Sequence, residues 1–314
     1  MSTSVDSHTT VLIVGAGPTG LTLALSLLQH GVKVRLIDLT LSPHEAARGT
    51  AIMPRTQEAL AILGVMNDVK EIATGPLQMA IYAPDGKTIL KAFDWSQSAP
   101  ESPTIPFRQT ASISQHELEK ILRHHLNGRG CKVAMGLKLI GIAQNDQAVT
   151  ATVQIDEKTV DIKCDFLVAA DGAKGVSRRL LDVSFLGETK EDARIWAANV
   201  QVPGFDRQYW HRWGDFASAA TSLKPIYPEP WFQMLTLGPQ LPKEIPTDLP
   251  QTQALFNSIS KRSDLVLTDV SWVTEWKANI RMTDKFSVGR VFLAGGPARC
   301  HRDRSRSQSG NGLG

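Results

Sequence analysis

The sequence predicts an α/β fold in which a parallel-stranded domain is interrupted by an inserted, mixed β-sheet. Three observations carry this. Residues 11–38 read as strand, tight turn, helix and strand, which is a βαβ unit. Two more strands, Phe166–Ala170 and Val291–Ala294, recur far downstream and are apolar throughout, as strands covered on both faces are. Between them, from about 185 to 286, the composition shifts: six of the seven tryptophans lie there and prolines crowd residues 225–250.

The elements follow from local pattern. Val11–Val14 is the first strand, and Leu21–Leu28 is apolar almost all round, as a helix buried against a sheet would be. Gly31 ends that helix as a C-cap, and Val32, Val34 and Leu36 then alternate with Lys33 and Arg35 as a strand. Pro54–Leu63 reads as a helix stopped by Gly64. Residues 77–95 alternate around the turn at Pro84, Asp85 and Gly86, a hairpin pattern. Pro100, Pro103 and Pro106 mark an extended connector. Ser114 and Glu117 form a capping box opening a helix with Leu118, Ile121, Leu122 and Leu126 at helical spacing, ended by Gly128 and Gly130. Residues 131–170 read as several strands with a turn near Asn145 and Asp146. The expected division assigns 8–75, 108–184 and 287–298 to the first domain, and the hairpin region 76–107 with 185–286 to the second. Residues 299–314 are an Arg/Ser/Gly-rich tail expected to be disordered.

Composition narrows the function classes. Apolar residues make up 42% and charged residues 21%, the balance of a globular chain with a sizeable core. The net charge of +3 sits in 299–314, where four arginines face one aspartate. The rest is charge-balanced and offers no global reason to bind nucleic acid or an acidic membrane. Cys131, Cys164 and Cys300 are too scattered for a disulfide framework or a metal site, so reduced thiols in the cytoplasm are expected. The polar start Met1–Thr10 is not a signal peptide, and no stretch approaches the roughly 20 apolar residues of a membrane span.

Gly15, Gly17 and Gly20 form G-x-G-x-x-G, enclosing Pro18 and Thr19, directly after a strand and opening a helix. Glycine lets the backbone turn tightly and approach a pyrophosphate, and the helix N-terminus offers free N–H groups. Asp38 ends the next strand, where a carboxylate can accept from a ribose diol. The set predicts a dinucleotide site rather than a glycine-rich packing turn, and leaves FAD and NAD both open.

Four segments then resemble one family. They are the fingerprint, Arg48 to Leu60 with Arg48 and Arg55, the helix start at Gln115, and Phe166 to Gly172 with Asp171 and Gly172 followed by Arg178 and Arg179. Gly289 to Gly295 matches the approach to a further signature. Together they resemble the flavin-dependent aromatic hydroxylases, the single-component FAD monooxygenases that include phenol and para-hydroxybenzoate hydroxylases. The resemblance runs from about residue 10 to 296. It implies a Rossmann-like FAD-binding domain with an inserted mixed β-sheet substrate domain. It implies FAD held by Gly15, Gly17, Pro18, Thr19, Gly20, Asp38, Arg48, Arg55, Gln115, Asp171 and Gly172. It further implies NAD(P)H as co-substrate, addition of O₂ to the reduced flavin, and hydroxylation of an aromatic, phenolic small molecule by the resulting hydroperoxide. An epoxidase or decarboxylating hydroxylase on the same scaffold is the neighbouring alternative.

The chain departs from the family at Gly296, where an aspartate is expected, and in the arginine-rich residues after it. That departure predicts an abnormal terminus or a degenerate, non-catalytic homologue, and Gly296→Asp with a restored terminus is expected to raise FAD affinity. No catalytic side chain and no metal ligand is assigned. His124, His125 and His211 lack acid–base spacing, and Cys300 with His301 is too little for a metal. The tryptophans of 185–286 either fill the sheet core or line an aromatic pocket.

Overall fold

The computed structural model describes residues 8–43, 49–94, 102–296 and 298–300. From the N-terminus the chain forms β1 (His8–Val14), α1 (Pro18–Gln29), β2 (Val34–Ile37), α2 (Pro54–Ile62), α3 (Met66–Ile72), β3 (Gln78–Tyr82) and β4 (Ile89–Asp94). Next come α4 (Gln115–Gly128), β5 (Val133–Ala134), β6 (Lys138–Gln144), β7 (Val149–Ile155), β8 (Lys158–Ala169) and α5 (Ser177–Leu180). The remainder is β9 (Phe185–Gln201), β10 (Tyr209–Gly214), β11 (Ala220–Pro225), β12 (Trp231–Leu237), α6 (Leu249–Ser260), β13 (Asp269–Thr283), β14 (Ser287–Val288), β15 (Val291–Leu293) and β16 (Arg299–Cys300). Contacts divide the chain into two compact units, the first of Met1–His44, Glu119–Lys190 and Ala278–Gly314, the second of Glu45–Leu118 and Glu191–Lys277.

The first unit is built on a sheet of order β14-β15-β8-β1-β2-β5. Its central strands β15, β8, β1, β2 and β5 pair in parallel, and the meander β6-β7 attaches to β8 in antiparallel fashion. Leu12, Val14, Ile37, Leu167, Ala169 and Leu293 pack in its core, but Phe166 and Phe292 point to the other face and are exposed, so the apolar runs of β8 and β15 are not covered on both faces as expected. Val32 is not part of β2, as alternation had placed it. Its N–H donates to Leu27 O and that of Gly31 to Leu28 O, the paired bonds of a Schellman cap, with Gly31 at φ +75°. At the far end, Arg299 and Cys300 pair with Met282 and Arg281, so the first two residues of the expected tail lie in a strand. Residues 301–314 fall outside the described residues.

The second unit carries a mixed sheet. Within it β9, β12, β11 and β10 pair in antiparallel fashion, β10 pairs β3 in parallel, and the β3–β4 hairpin forms the edge. One face buries Trp196, Trp213, Leu223, Phe232 and Met234 with Phe256 of α6. Asp248 caps α6 by accepting from Gln251 N, and Pro250 fits the first turn, where no N–H is needed. Residues 49–75 and 108–118 group with this sheet rather than with the parallel one, where the sequence boundaries had put them. The reason is local pairing: Ile52 bridges Ala111, Thr74 bridges Ser112, and Thr50 bonds to β11 and β12 side chains. Helix α4 begins where expected, but no capping box forms. Ser114 Oγ is buried without a partner among the described residues, while Glu117 pairs with His116 and the Gln115 N–H donates to Gly49 O.

Candidate functional site

Register in the first unit brings the sequence motifs to one edge. Val14 lies beside both Ile37 and Ala169, and Ala169 beside Leu293. The residues that follow, Gly15, Asp38, Ala170 to Gly172 and Ala294 to Gly296, therefore emerge side by side at the carboxyl ends of parallel strands. Strand order reverses between β1 and β8, and such a reversal opens a crevice there.

That edge is made of backbone packed too closely for side chains. A Cβ on Gly15, which has φ +105°, would sit 2.4 Å from Ala170 O, and one on Gly20 would sit 1.9 Å from Gly15 O. A Cβ on Gly17 would meet nothing within 4 Å, so the loop presents an open face there. Gly17 is the N-cap of α1, Pro18 begins the helix, and no side chain caps the first turn. The positive end of a 12-residue helix dipole thus faces open space.

The two acids brace this edge. Asp38 accepts from Ala16 N at 2.6 Å with one carboxylate oxygen and from Thr40 N and Oγ1 at 2.8 and 2.7 Å with the other. Asp171 accepts from Ser177 N and Oγ at 3.0 and 2.9 Å through Oδ2, closing a turn over Gly175. Its Oδ1 is buried and has no partner among the described residues. A carboxylate oxygen has two lone pairs, so Asp38 keeps acceptor capacity for a hydroxyl. Arg178 donates to Ala173 O at 3.1 Å and braces the same turn.

Sequence reasoning missed Arg123. From α4 its Nη2 donates to Ala16 O at 2.9 Å, inside the glycine loop, while Nη1 pairs with Glu119 at 3.3 Å. It lies eight residues after Gln115, on the helix the motif opened; its arginine in an otherwise core-directed pattern was the available signal.

Segment 294–296 closes the edge. Gly295 adopts φ +68° against Thr19, and a Cβ on Gly296 would lie 2.9 Å from Ala173 N and 3.0 Å from Gly172 Cα. A side chain at 296 would therefore require this backbone to shift. The glycine lets this segment rest directly on the Asp171–Gly172 turn.

In the second unit Gln115 is tied to Gly49 through its N–H, one residue from Arg48. Arg48 itself falls outside the described residues. Arg55 is 92% exposed and ion-paired with Glu58 on its own helix. The tryptophans separate by sheet face. Trp196 and Trp213 fill the core, whereas Trp210 lines a hollow of about 180 Å³ on the opposite face with Met79, Arg212, Phe216, Leu235 and Leu237. On that face Lys224, Gln233 and Asn199 stand directly opposite one another across three strands. A wider trough of about 730 Å³ lies between α3 and residues 106–111, and none of the residues expected from sequence borders it.

The family described as FAD binding domain matches residues 8–303. The chain belongs to the FAD binding domain family. It is 31% identical over 312 residues to a flavin-dependent monooxygenase of Mycobacteroides abscessus, covering 97% of this chain and 64% of that protein. It is 26% identical over 296 residues to pentachlorophenol 4-monooxygenase of Sphingobium chlorophenolicum, covering 93% and 53%. The chain thus spans a little over half to just under two thirds of the curated relatives it matches. Among solved structures it resembles p-nitrophenol 4-monooxygenase from Pseudomonas putida, with TM-score 0.77 at 21% identity, covering 94% of this chain and 74% of that one. It also resembles the flavin-dependent monooxygenase PieE in complex with FAD and substrate, with TM-score 0.81 at 20% identity, covering 95% and 54%. These structures share its fold, a Rossmann-like domain with an inserted mixed sheet.

The residues of the family's first unit here fit FAD. The uncapped N-terminus of α1, the open face at Gly17 and the close-packed glycines at 15 and 20 leave backbone room for a pyrophosphate. The unpartnered Oδ1 of Asp171 is an acceptor awaiting a donor.

Proposed function

We propose that this chain forms the FAD-binding and substrate-binding parts of an NAD(P)H-dependent monooxygenase that hydroxylates an aromatic, phenolic small molecule in the cytoplasm. The observation that supports it most is the convergence of Gly15, Gly17, Gly20, Asp38, Asp171, Gly172 and Gly295 at the carboxyl edge of one parallel sheet. Bound FAD, reduced by NAD(P)H, would supply the oxygen chemistry that no side chain of the chain supplies. The backbone of Gly15 to Gly20 would hold the pyrophosphate and Asp38 the ribose. Asp171 and Gly172, with Arg48, Arg55 and Gln115, complete the proposed set, and Arg123 acts behind it by fixing Ala16 O. The face of the mixed sheet bearing Trp210 would receive the ring.

Among the described residues no helix is long and apolar enough to cross a membrane, and no cluster of three metal-ligating side chains occurs. A second reading, a homologue that no longer turns over, rests on Gly296 alone.

A visible spectrum of the purified chain followed by FAD titration tests the proposal. Bound oxidised flavin, and NAD(P)H oxidation stimulated by an aromatic substrate, are expected. A chain that stays colourless at saturating FAD would overturn it. Flavin without stimulated oxidation would favour the second reading.

A further inference from the structure

Lys224 stands on β11 and is only 6% exposed, so its ammonium lies in the interior. Burial lowers its pKa to about 8, which leaves it protonated, with three N–H donors, at pH 7. It donates to Thr50 O at 3.1 Å and to Thr50 Oγ1 at 3.4 Å, and Thr50 Oγ1 in turn donates to Gln233 Oε1 of β12 at 2.9 Å. Its Nζ also lies 5.2 Å from the centre of the Trp210 ring, within reach of a cation–π contact. A buried ammonium is tolerated only where other partners replace its water, and here both oxygens of one residue do so.

Thr50 belongs to a segment, 49–52, that lies outside every named helix and strand. Its backbone groups are therefore satisfied one by one from other parts of the unit. Gly49 O accepts from Gln115 N at 2.8 Å, and Ile52 exchanges bonds with Ala111 at 2.8 and 3.1 Å. Thr50 O goes to Lys224. Lys224 and Gln233 are the distant members, 174 and 183 residues from Thr50 in the chain. The segment thus joins the mixed sheet to the start of α4. A Cβ on Gly49 would lie 3.9 Å from Gln115 Oε1, so the Gln115 side chain sits beside the segment that Lys224 holds. A charged donor suits this task, because it bonds a carbonyl more strongly than a neutral one does.

We propose that Lys224 is a positioning residue: it anchors segment 49–52 to the mixed sheet and thereby fixes Gln115 for FAD. The effect on FAD rests on the flavin reading of the first unit, whereas the anchoring does not.

The test is amide hydrogen exchange on the full chain without flavin. In a folded Lys224→Met the amides of Ile52 and Gln115 should exchange about tenfold faster than in the wild type, the effect of losing a charged hydrogen bond. Those of β11 and β12 should keep their rates. Lys224→Arg should restore slow exchange, because it returns a charged donor. Thr50→Val leaves Lys224 in place and removes only the hydroxyl, so it should give the same pattern in smaller degree, and it carries the test if Lys224→Met does not fold. Unchanged rates at Ile52 and Gln115 would overturn the proposal. So would faster exchange throughout the sheet, which is what a merely structural lysine gives. A second arm is a double-mutant cycle on FAD affinity. Lys224→Met should weaken FAD about tenfold, and Gln115→Ala should cost less in that background than in the wild type. Additive losses would overturn the action through Gln115. A wild type that binds no FAD would defeat the flavin reading, and the exchange arm would still decide the anchoring by itself.

Discussion

The two units build their sites from opposite materials. The first uses backbone: Gly15, Gly20, Gly295 and Gly296 are packed so closely that a single Cβ would collide, and the acids serve to hold loops in place. The second uses side chains drawn from different strands, with Lys224, Gln233 and Asn199 aligned by register and Thr50 reaching them from a segment far away in sequence. A backbone site leaves a spaced glycine pattern in the chain. A cross-strand site leaves almost no local trace, because its members are neighbours only after pairing.

The largest expected effect tests the side-chain-built unit. Trp213 is almost wholly buried, stacks on Tyr82 at 4.9 Å and donates to Gly86 O at 2.9 Å. Trp213→Ala should lower stability by about 4 kcal/mol, read as a fall in the urea midpoint. An unchanged midpoint would show that this aromatic cluster does not hold the unit.

Next comes the backbone site. Gly20→Ala places a methyl 1.9 Å from Gly15 O and should cost about 3 kcal/mol together with retention of FAD. Normal flavin binding by this variant would mean that the loop geometry is not what holds the pyrophosphate.

Gly296→Asp sharpens the contrast. The contacts with Ala173 N and Gly172 Cα predict a loss of about 1–2 kcal/mol and no gain in FAD affinity. Tighter FAD binding in this variant would show that the segment rearranges to admit the side chain.

Arg123→Met removes a bond to the loop but none of the loop itself. FAD affinity should fall about tenfold, a change of about 1.4 kcal/mol, with a small change in melting temperature. Equal affinities would leave Arg123 a purely structural residue of α4.

The smallest effect is a pH dependence. His211 is buried, bonded to Tyr82 Oη at 2.8 Å and to Asp206 O at 2.8 Å, and burial lowers its pKa below the ordinary 6.5. The hydrogen bond and charge of Asp206 oppose that shift, and Arg262 adds to it. The folded state therefore favours neutral His211, so its contribution is complete above pH 6.5 and is lost as pH falls through the lower folded value. Urea midpoints measured from pH 7 to 5 should decline more steeply for the wild type than for His211→Gln. Parallel slopes would assign the acid sensitivity to other groups.

How much of this was readable depends on the range of the interaction. The βαβ unit, the hairpin at 77–95 and helices α2 and α4 were legible because apolar spacing and glycine stops act over a few residues. The helix start at Gln115 was placed correctly for a partly wrong reason. Its first N–H is satisfied by Gly49, a tertiary partner, and Ser114 makes no cap. Arg123 shows the same limit: an unremarked arginine reached the glycine loop, because side-chain direction depends on what packs beside the helix.

The order of residues alone set the type of fold, the glycine loop and its helix, since these follow from conformational freedom and periodicity carried by each short segment. Packing determined which tryptophans are core, which acids brace loops, why Gly296 has no room for a side chain, and which cation is buried without a counter-charge. Those outcomes depend on strands that meet across more than a hundred residues of chain, and on distances of a few ångströms that local sequence does not encode.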